Sequence, residues 1–131
     1  MKEVLEYLKT NPVFYLATTE GNQPRVRPFG AVAEFEDRLY IVTNNTKKVF
    51  KQMLENPQIE ISAMGKDGTW LRLESTVVHD GRREARVQML NENASLGRMY
   101  TADDNKMEVL YLKDAKATFY SFSGTPRVLA F

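Results

Sequence analysis

The sequence of 131 residues contains no cysteine and only one histidine. Without cysteine, the chain cannot form disulfide bonds, use a thiol nucleophile or bind zinc through thiolates. A single histidine cannot build a metal centre of several imidazoles, and His79 stands just before Asp80-Gly81, where a turn residue is expected. The pair Asp103-Asp104 is typical of an acidic turn or helix cap. We therefore predict no metal site.

An excess of one charge is also missing. The 18 lysines and arginines are balanced by 17 acidic residues, for a net charge of +1. Domains that bind nucleic acid or membrane surfaces usually carry a clear basic excess, so neither partner is expected and any anion site must be local. The start, MKEVLEYLKT, has no long apolar run, which predicts a cytoplasmic chain without a membrane anchor. No GxGxxG or P-loop motif indicates dinucleotide binding or nucleotide hydrolysis.

The patterning that is present predicts one mainly β domain spanning residues 1–131. Helical periodicity occurs at 2–9, 46–55 and 82–92, and strand-like segments occur at 13–19, 25–35, 39–45, 59–65, 69–81 and 107–122. The last segment is interpreted as two strands with a break at Lys113-Asp114. About six strands joined by short hairpins, with one helix inserted after the third, predict a small antiparallel barrel.

The segment TNNTKKVF (43–50) places two lysines at a predicted helix start. The N-terminus of a helix carries a partial positive charge and unpaired N–H groups, so Lys47 and Lys48 oppose it unless an anion is bound there. A phosphate would reverse the sign, because these N–H groups, the Thr46 hydroxyl and the ammonium groups would converge on it. The alternative is that both lysines are simply solvated.

A second basic pair precedes this segment in RVRPFGAVAEF (25–35). Arg25 and Arg27 are two residues apart in a predicted strand and so project from one face, with Phe29 next along it. Pro28 cannot donate a hydrogen bond and Gly30 permits close approach, which places this strand at an edge, at a bulge or against a ligand. We expect neighbouring strands to bring both basic pairs together, where arginine suits phosphate or carbonyl contacts and the interrupted backbone at 28–30 suits a flat polar ring system. An ordinary surface strand is the alternative.

Together, PRVRPFG (24–30) and YIVTNNTKKVFKQM (40–53) resemble the FMN-binding split barrels related to pyridoxamine 5'-phosphate oxidase, especially the short, general-stress-protein-like members. The resemblance covers most of the chain. It implies a six-stranded antiparallel split barrel with a few short helices. It also implies a homodimer that holds FMN in the cleft between its subunits.

The resemblance implies roles for twelve residues, most of them at matching positions in these motifs. Those implied for the flavin phosphate are Arg25, Thr46, Lys47 and Lys48, and those implied for the ring or ribityl chain are Arg27, Pro28, Phe29, Thr43 and Asn44. Outside the two motifs, the resemblance implies that Trp70 and Arg72 reach the partner's flavin and that Tyr120 takes roughly the place of a family aromatic near the cofactor, with the barrel core as the alternative for Trp70.

The resemblance implies an FMN-dependent oxidoreductase that moves hydride or electrons from a donor such as NAD(P)H to a small organic acceptor. True pyridoxamine phosphate oxidases are longer and end in an arginine-bearing segment that binds the substrate phosphate. This chain closes with GTPRVLAF (124–131), where Arg127 is only a loose counterpart, which argues against vitamin B6 oxidation. No catalytic acid or base is evident. The alternatives are a non-catalytic flavin module, a heme module ligated by His79, and a structural dimer without a ligand.

Overall fold

The computed structural model describes residues 1–131 as three α-helices, one short 3₁₀ helix and eight strands. The helices are α1 (Lys2–Thr10), α2 (Lys48–Glu55) and α3 (Arg83–Glu92), and the 3₁₀ helix is Ala94–Arg98. The strands are β1 (Phe14–Glu20), β2 (Gln23–Phe29), β3 (Val32–Phe35), β4 (Arg38–Asn44), β5 (Gln58–Met64), β6 (Trp70–Asp80), β7 (Met107–Tyr120) and β8 (Arg127–Ala130). No helix has both the length and the apolar character needed to cross a membrane.

The strands form one antiparallel sheet in the order β2-β1-β5-β6-β7-β4-β3, with β8 paired to β7. Strand β7 is long enough to take two partners in turn along one side. Its residues Met107 to Tyr111 pair with β4, and its residues Lys116 to Phe119 pair with β8. The edge strands β2 and β3 do not pair with each other, although they are nearly consecutive in the chain. The mainly β split barrel predicted from the sequence is therefore confirmed, and the opening lies where β2 leads into β3.

Three details differ from the prediction. The segment 25–35 is not one strand, because the chain leaves β2 at Phe29 and begins β3 at Val32, on the opposite edge of the sheet. The segment 107–122 is not two strands: the break at Lys113-Asp114 is absorbed as an irregularity opposite Glu74 to Thr76, with a φ of 51° at Asp114. Strand β8 was missed because its four residues are mostly exposed and show no clear alternation.

Two apolar clusters stabilise this frame. The larger fills the barrel and includes Leu16, Ile61, Leu71 and Leu110, each at most 1% exposed. The smaller lies between α3 and the outer face of β3, β4 and β7, and contains Tyr40, Met89 and Tyr100. In β1, β5 and β6 the buried inner residues alternate with more exposed outer ones, as expected for a sheet with one face toward the core.

A buried carboxylate links the second cluster to the start of α3. Asp80 is 7% exposed, accepts a hydrogen bond of 2.7 Å from the Tyr40 hydroxyl and is paired with the Arg82 guanidinium at 2.9 Å. Arg82 is the main cause that lowers the pKa of Asp80 to about 2, against the opposing effect of burial. Burial, followed by the bond to Asp80, raises the pKa of Tyr40 to about 12.

We predict that the Asp80 carboxylate makes the free energy of unfolding depend on pH. The pKa of Asp80 in the folded state is below its ordinary value of 3.8, so its stabilisation is complete above about pH 4 and is lost as the pH falls through about 2. We expect Asp80→Asn to lower the free energy of unfolding at pH 7 by about 2 kcal/mol, and the difference from wild type to shrink toward pH 2. Urea denaturation at several pH values measures the free energy of unfolding of both proteins. Exposed Asp37→Asn is the control, and an equal loss in that variant would contradict the prediction.

Candidate functional site

A cleft of about 280 Å³ lies at the opening of the split barrel. It is bounded by the end of β2, the link to β3, strand β4, the start of α2 and the segment 93–100. The lining residues are Arg27, Pro28, Phe29, Gly30, Ala31, Val42, Thr43, Lys47, Val49, Asn93, Ser95, Leu96, Met99 and Tyr100. Half of this lining is apolar, a mixture that is typical of sites for planar organic ligands with a few polar groups.

A basic groove adjoins this cleft. The groove is lined by Glu20, Arg25, Val26, Arg27, Lys47, Lys48, Val49 and Gln52. Three of these residues, Arg27, Lys47 and Val49, also line the cleft. The two depressions therefore adjoin along these residues, and the structure brings both basic pairs to one groove, as expected. One ligand with an anionic end and an apolar end could occupy both.

The start of α2 supplies the floor where cleft and groove meet. Lys47 is the N-cap and the helix proper begins at Lys48, two residues later than the predicted start at position 46. The first turn holds no acidic residue, and no side chain caps it. Asn44 instead organises the preceding loop: its Oδ1 accepts bonds from the backbone N–H of Thr46, at 3.0 Å, and from the Thr46 hydroxyl. The positive helix end thus faces the groove with no acidic residue of its own first turn to balance it, and the acidic residue of the groove, Glu20, is paired with Arg25.

Arg27 is fixed rather than mobile. Its guanidinium donates to the Leu16 carbonyl at 3.1 Å, to the Thr18 hydroxyl at 2.8 Å and to the Gln52 Oε1 at 2.7 Å. Burial, with a smaller effect of the neighbouring Arg25, lowers its pKa, although guanidinium stays charged. The three bonds connect β2 to β1 and α2, so this charge is held in place before any ligand arrives.

Arg25 is arranged differently. It lies two residues before Arg27 on the same strand, its side chain is 49% exposed, and it pairs with Glu20 at 3.0 Å. This bond is the main cause that lowers the pKa of Glu20. Because exposed ion pairs are weak, Arg25 can exchange Glu20 for another anion at small cost. Lys47 and Lys48 are also exposed and have no ion-pair partner in the structure.

One buried polar atom lacks a partner. Thr43 lines the cleft from β4 and is 3% exposed, and its hydroxyl makes no hydrogen bond. Leaving a buried hydroxyl unsatisfied costs about 1 to 3 kcal/mol. The oxygen itself is inaccessible from the cleft, so a ligand could supply the missing partner only after a local movement of this side chain.

The wall formed by residues 93–100 was not anticipated from the sequence. It includes the 3₁₀ helix and Tyr100, which is 9% exposed and packs in the second apolar cluster. The Tyr100 hydroxyl accepts a hydrogen bond of 3.0 Å from the Asn44 side-chain amide. The segment follows α3 without a clear periodicity of its own, so nothing in the sequence places it beside β4.

The pyridoxamine 5'-phosphate oxidase family model matches residues 1–124 of the chain. This chain belongs to the pyridoxamine 5'-phosphate oxidase family. The resemblance drawn from the two sequence motifs is thereby confirmed. No curated protein sequence matches the chain.

Solved structures of this fold agree with the assignment. A NimC/NimA family protein from Clostridium acetobutylicum is 53% identical, with a TM-score of 0.97 over 100% of this chain and 92% of that one. A pyridoxamine 5'-phosphate oxidase-related, FMN binding protein from Nostoc punctiforme is 15% identical, with a TM-score of 0.67 over 99% and 95%. A heme binding protein from Mycobacterium smegmatis is 14% identical, with a TM-score of 0.77 over 98% of this chain and 56% of that one. The last two likenesses establish the fold alone.

In this family member, the residues predicted for the site fall into three groups. Those that line the cleft or the groove are Arg25, Arg27, Pro28, Phe29, Thr43, Lys47 and Lys48. Asn44 and Thr46 lie behind the lining and shape the loop through their mutual bonds. Trp70, Arg72 and Tyr120 lie on other strands, β6 and β7, and line neither depression.

The outer face of the sheet holds this third group. Trp70 is half-buried and stacks on Tyr120, with ring centroids 5.3 Å apart and planes 10° apart. It also contacts Phe122. The alternative that placed Trp70 in the barrel core is wrong, because the residue precedes inward-facing Leu71 and points to the other face. Arg72 pairs with Glu60 at 2.7 Å.

The remaining polar candidates are engaged elsewhere. His79 makes a contact of 2.9 Å with Glu108 and packs edge-on against Phe50, and it does not line the cleft. Asp103 pairs with Arg83, and Asp104 accepts backbone N–H bonds within its own turn. No three acidic or histidine side chains are grouped as metal ligands would be.

Proposed function

We propose that this chain binds FMN and uses it to transfer hydride or electrons from a reduced donor such as NAD(P)H to a small organic acceptor. The observation that carries the proposal is that the basic groove adjoins the half-apolar cleft along Arg27 and Lys47. FMN has the matching form, a phosphate at one end and a flat polar ring at the other. The FMN-binding relative of the same fold supports the choice of ligand.

The donors of the groove fit a phosphate dianion. Lys47, Lys48 and Arg25 are exposed cations around the start of α2, where backbone N–H groups also favour negative charge. Binding there would remove the conflict between two lysines and the positive helix end.

The ring would lie against Pro28 and Phe29 in the cleft. When bound, FMN supplies the redox chemistry, and the protein supplies position and electrostatics. The fixed guanidinium of Arg27 would stabilise negative charge on a reduced ring, because a preorganised cation needs no reorganisation as charge develops. Arg127, paired with Glu3 and stacked over Phe119, is not at the cleft. A general flavin reductase therefore suits this site better than a pyridoxamine phosphate oxidase.

A homodimer with FMN at its interface is part of the proposal. The outer face of the sheet carries exposed apolar side chains at Tyr15, Met64 and Phe122, which are 51%, 69% and 85% exposed. Beside them are stacked Trp70 and Tyr120. A patch of this kind on a soluble domain marks an interaction surface. We expect sedimentation at twice the chain mass of 15.1 kDa, and a monomer at micromolar concentration would contradict this part of the proposal.

Visible absorption spectroscopy tests cofactor and activity together. The purified protein is mixed with FMN, desalted and examined for retained flavin bands, and then titrated anaerobically with NADH or NADPH. Retained bands that bleach on titration and return on adding an acceptor support the oxidoreductase. Retained bands that neither donor bleaches favour a non-catalytic flavin module, and a protein that retains no flavin contradicts the cofactor.

Heme is the second candidate, because a heme binding protein shares the fold. His79 is the only imidazole in the chain and lies outside the cleft, in contact with Glu108. The usual histidine ligation is therefore not available to a heme in the cleft. A Soret band after adding hemin and desalting, without retention of FMN, would favour this candidate.

A further inference from the structure

The hydrogen-bond directions around Asn44 are determined by one backbone group. The N–H of Thr46 can only donate, so the Asn44 atom that it meets at 3.0 Å must be the carbonyl oxygen Oδ1. The amide nitrogen of Asn44 then faces Tyr100, at 3.0 Å from the phenolic oxygen. An amide nitrogen can only donate. The Tyr100 oxygen is therefore the acceptor in this bond, and its own proton is directed elsewhere.

The surroundings of Tyr100 leave few acceptors for that proton. The residue is 9% exposed and packs among apolar side chains such as Ala31 and Met89. The Asn44 contact is the one side-chain hydrogen bond of Tyr100 in the structure. Tyr100 lines the cleft. The cleft is thus the place where the Tyr100 proton can meet an acceptor.

We propose that Tyr100 is a catalytic residue, the proton donor to an oxygen of the second substrate, and that this substrate belongs to the carbonyl and quinone class. The inference rests on the proposed function. Asn44 is the positioning residue that keeps the Tyr100 proton turned into the cleft. Residues from two distant segments, the loop before α2 and the wall at 93–100, cooperate in this arrangement.

Two-electron reduction of a quinone needs one hydride and one proton. Bound FMN in its reduced, anionic form would supply this hydride and return to its oxidised form. The hydride, with its two electrons, forms an O–H bond at one quinone oxygen. The second quinone oxygen takes the proton from the Tyr100 hydroxyl, and the phenolate left behind recovers a proton from water at the cleft mouth. Charge balances, since the anionic flavin is consumed as the phenolate forms.

Tyr100→Phe removes the proton and keeps the ring. The protein is loaded with FMN, reduced with dithionite, freed of excess reductant and mixed anaerobically with menadione, and the return of the oxidised flavin band is followed. We expect the variant to react about 100-fold more slowly, the usual effect of losing a general acid. Tyr111→Phe, a half-buried tyrosine outside the cleft, is the control.

A measurement without turnover separates proton donation from simple packing. Infrared difference spectra are recorded for menadione bound to the oxidised, FMN-loaded protein. A hydrogen bond from Tyr100 should lower the stretching frequency of one carbonyl in the wild type and in Tyr111→Phe, and Tyr100→Phe should lack this band. Equal carbonyl bands in all three proteins would overturn the proposal, as would the absence of any bound menadione in the wild type.

A second variant keeps the phenol and reverses its hydrogen bond. In Asn44→Asp the carboxylate can only accept, so it would take the Thr46 N–H and also the Tyr100 proton. We expect a slowing of similar size and the same loss of the lowered carbonyl band at saturating FMN. Unchanged reoxidation in both variants refutes the role of Tyr100 while leaving FMN binding intact. A wild type that binds no FMN contradicts the proposed function itself, and the proposal for Tyr100 with it.

Discussion

The double variant Lys47→Ala and Lys48→Ala should bind FMN at least about 100-fold more weakly than the wild type. Each lysine removed takes away one charge-assisted interaction with the phosphate, and roughly 1.4 kcal/mol for each corresponds to about a tenfold change in affinity. The apo fold should be unaffected, because both side chains are exposed and have no ion-pair partner at the unbalanced start of α2. Quenching of flavin fluorescence measures the dissociation constants.

Lysines away from the groove provide the control. Lys51 lies one turn further along α2, is 80% exposed and lies 3.9 Å from Glu55, and Lys66 lies in the turn between β5 and β6. Neither lines the cleft or the groove. Lys51→Ala with Lys66→Ala removes the same net charge, so a comparable loss of affinity in this variant would mean that only the overall charge matters. Raised salt should weaken binding by the wild type more than by Lys47→Ala with Lys48→Ala.

Arg27→Ala should have the largest effect on stability of any residue in the groove. Its guanidinium bridges the Leu16 carbonyl, the Thr18 hydroxyl and Gln52, and removing it takes three hydrogen bonds from a partly buried site, although Gln52 Oε1 keeps the bond that it accepts from Thr18. We expect the free energy of unfolding to fall by about 2 to 3 kcal/mol. Arg27→Lys should recover only part of this loss, because one ammonium group cannot reach three acceptors arranged for a planar fork. Urea denaturation of the apo protein measures both.

Arg25→Ala is the matched comparison on the same strand. Arg25 has the same charge two residues away, but its pair with Glu20 is about half-exposed, so the loss should stay below about 1 kcal/mol. The two arginines would then separate into a structural cation and a cation available to the ligand. A loss for Arg25→Ala equal to that for Arg27→Ala would contradict this distinction.

Local signals in the sequence were sufficient to predict the barrel and half of the cleft. The alternation in β1, β5 and β6 predicted one buried face, and the basic motifs on β2 and before α2 predicted an anion site that the structure does assemble. Pro28 and Gly30 predicted a strand at an edge, at a bulge or against a ligand, and β2 is an edge strand whose end lines the cleft. These features arise from residues that are close together in the chain, so a single sequence is enough to reveal them.

The wall at 93–100 could not be predicted in the same way. Its position depends on contacts of residues far apart in sequence, such as the bond of Asn93 to the Val32 carbonyl and that of Asn44 to Tyr100. Neither is visible as a period or a motif. Asn44 illustrates the difference: the resemblance implied a contact with the cofactor, and the structure adds that the side-chain oxygen and nitrogen bond to Thr46 and Tyr100, which no motif indicated.

Comparison of the dissociation constants of FMN and riboflavin for the wild-type protein tests the central proposal most directly. The two ligands share the ring and the ribityl chain and differ only in the phosphate. If the groove at Lys47 and Lys48 holds that phosphate, FMN should bind at least about 100-fold more tightly than riboflavin, equivalent to about 2.8 kcal/mol. Equal affinities, or no binding of either ligand, would contradict the assignment of the groove as a phosphate site.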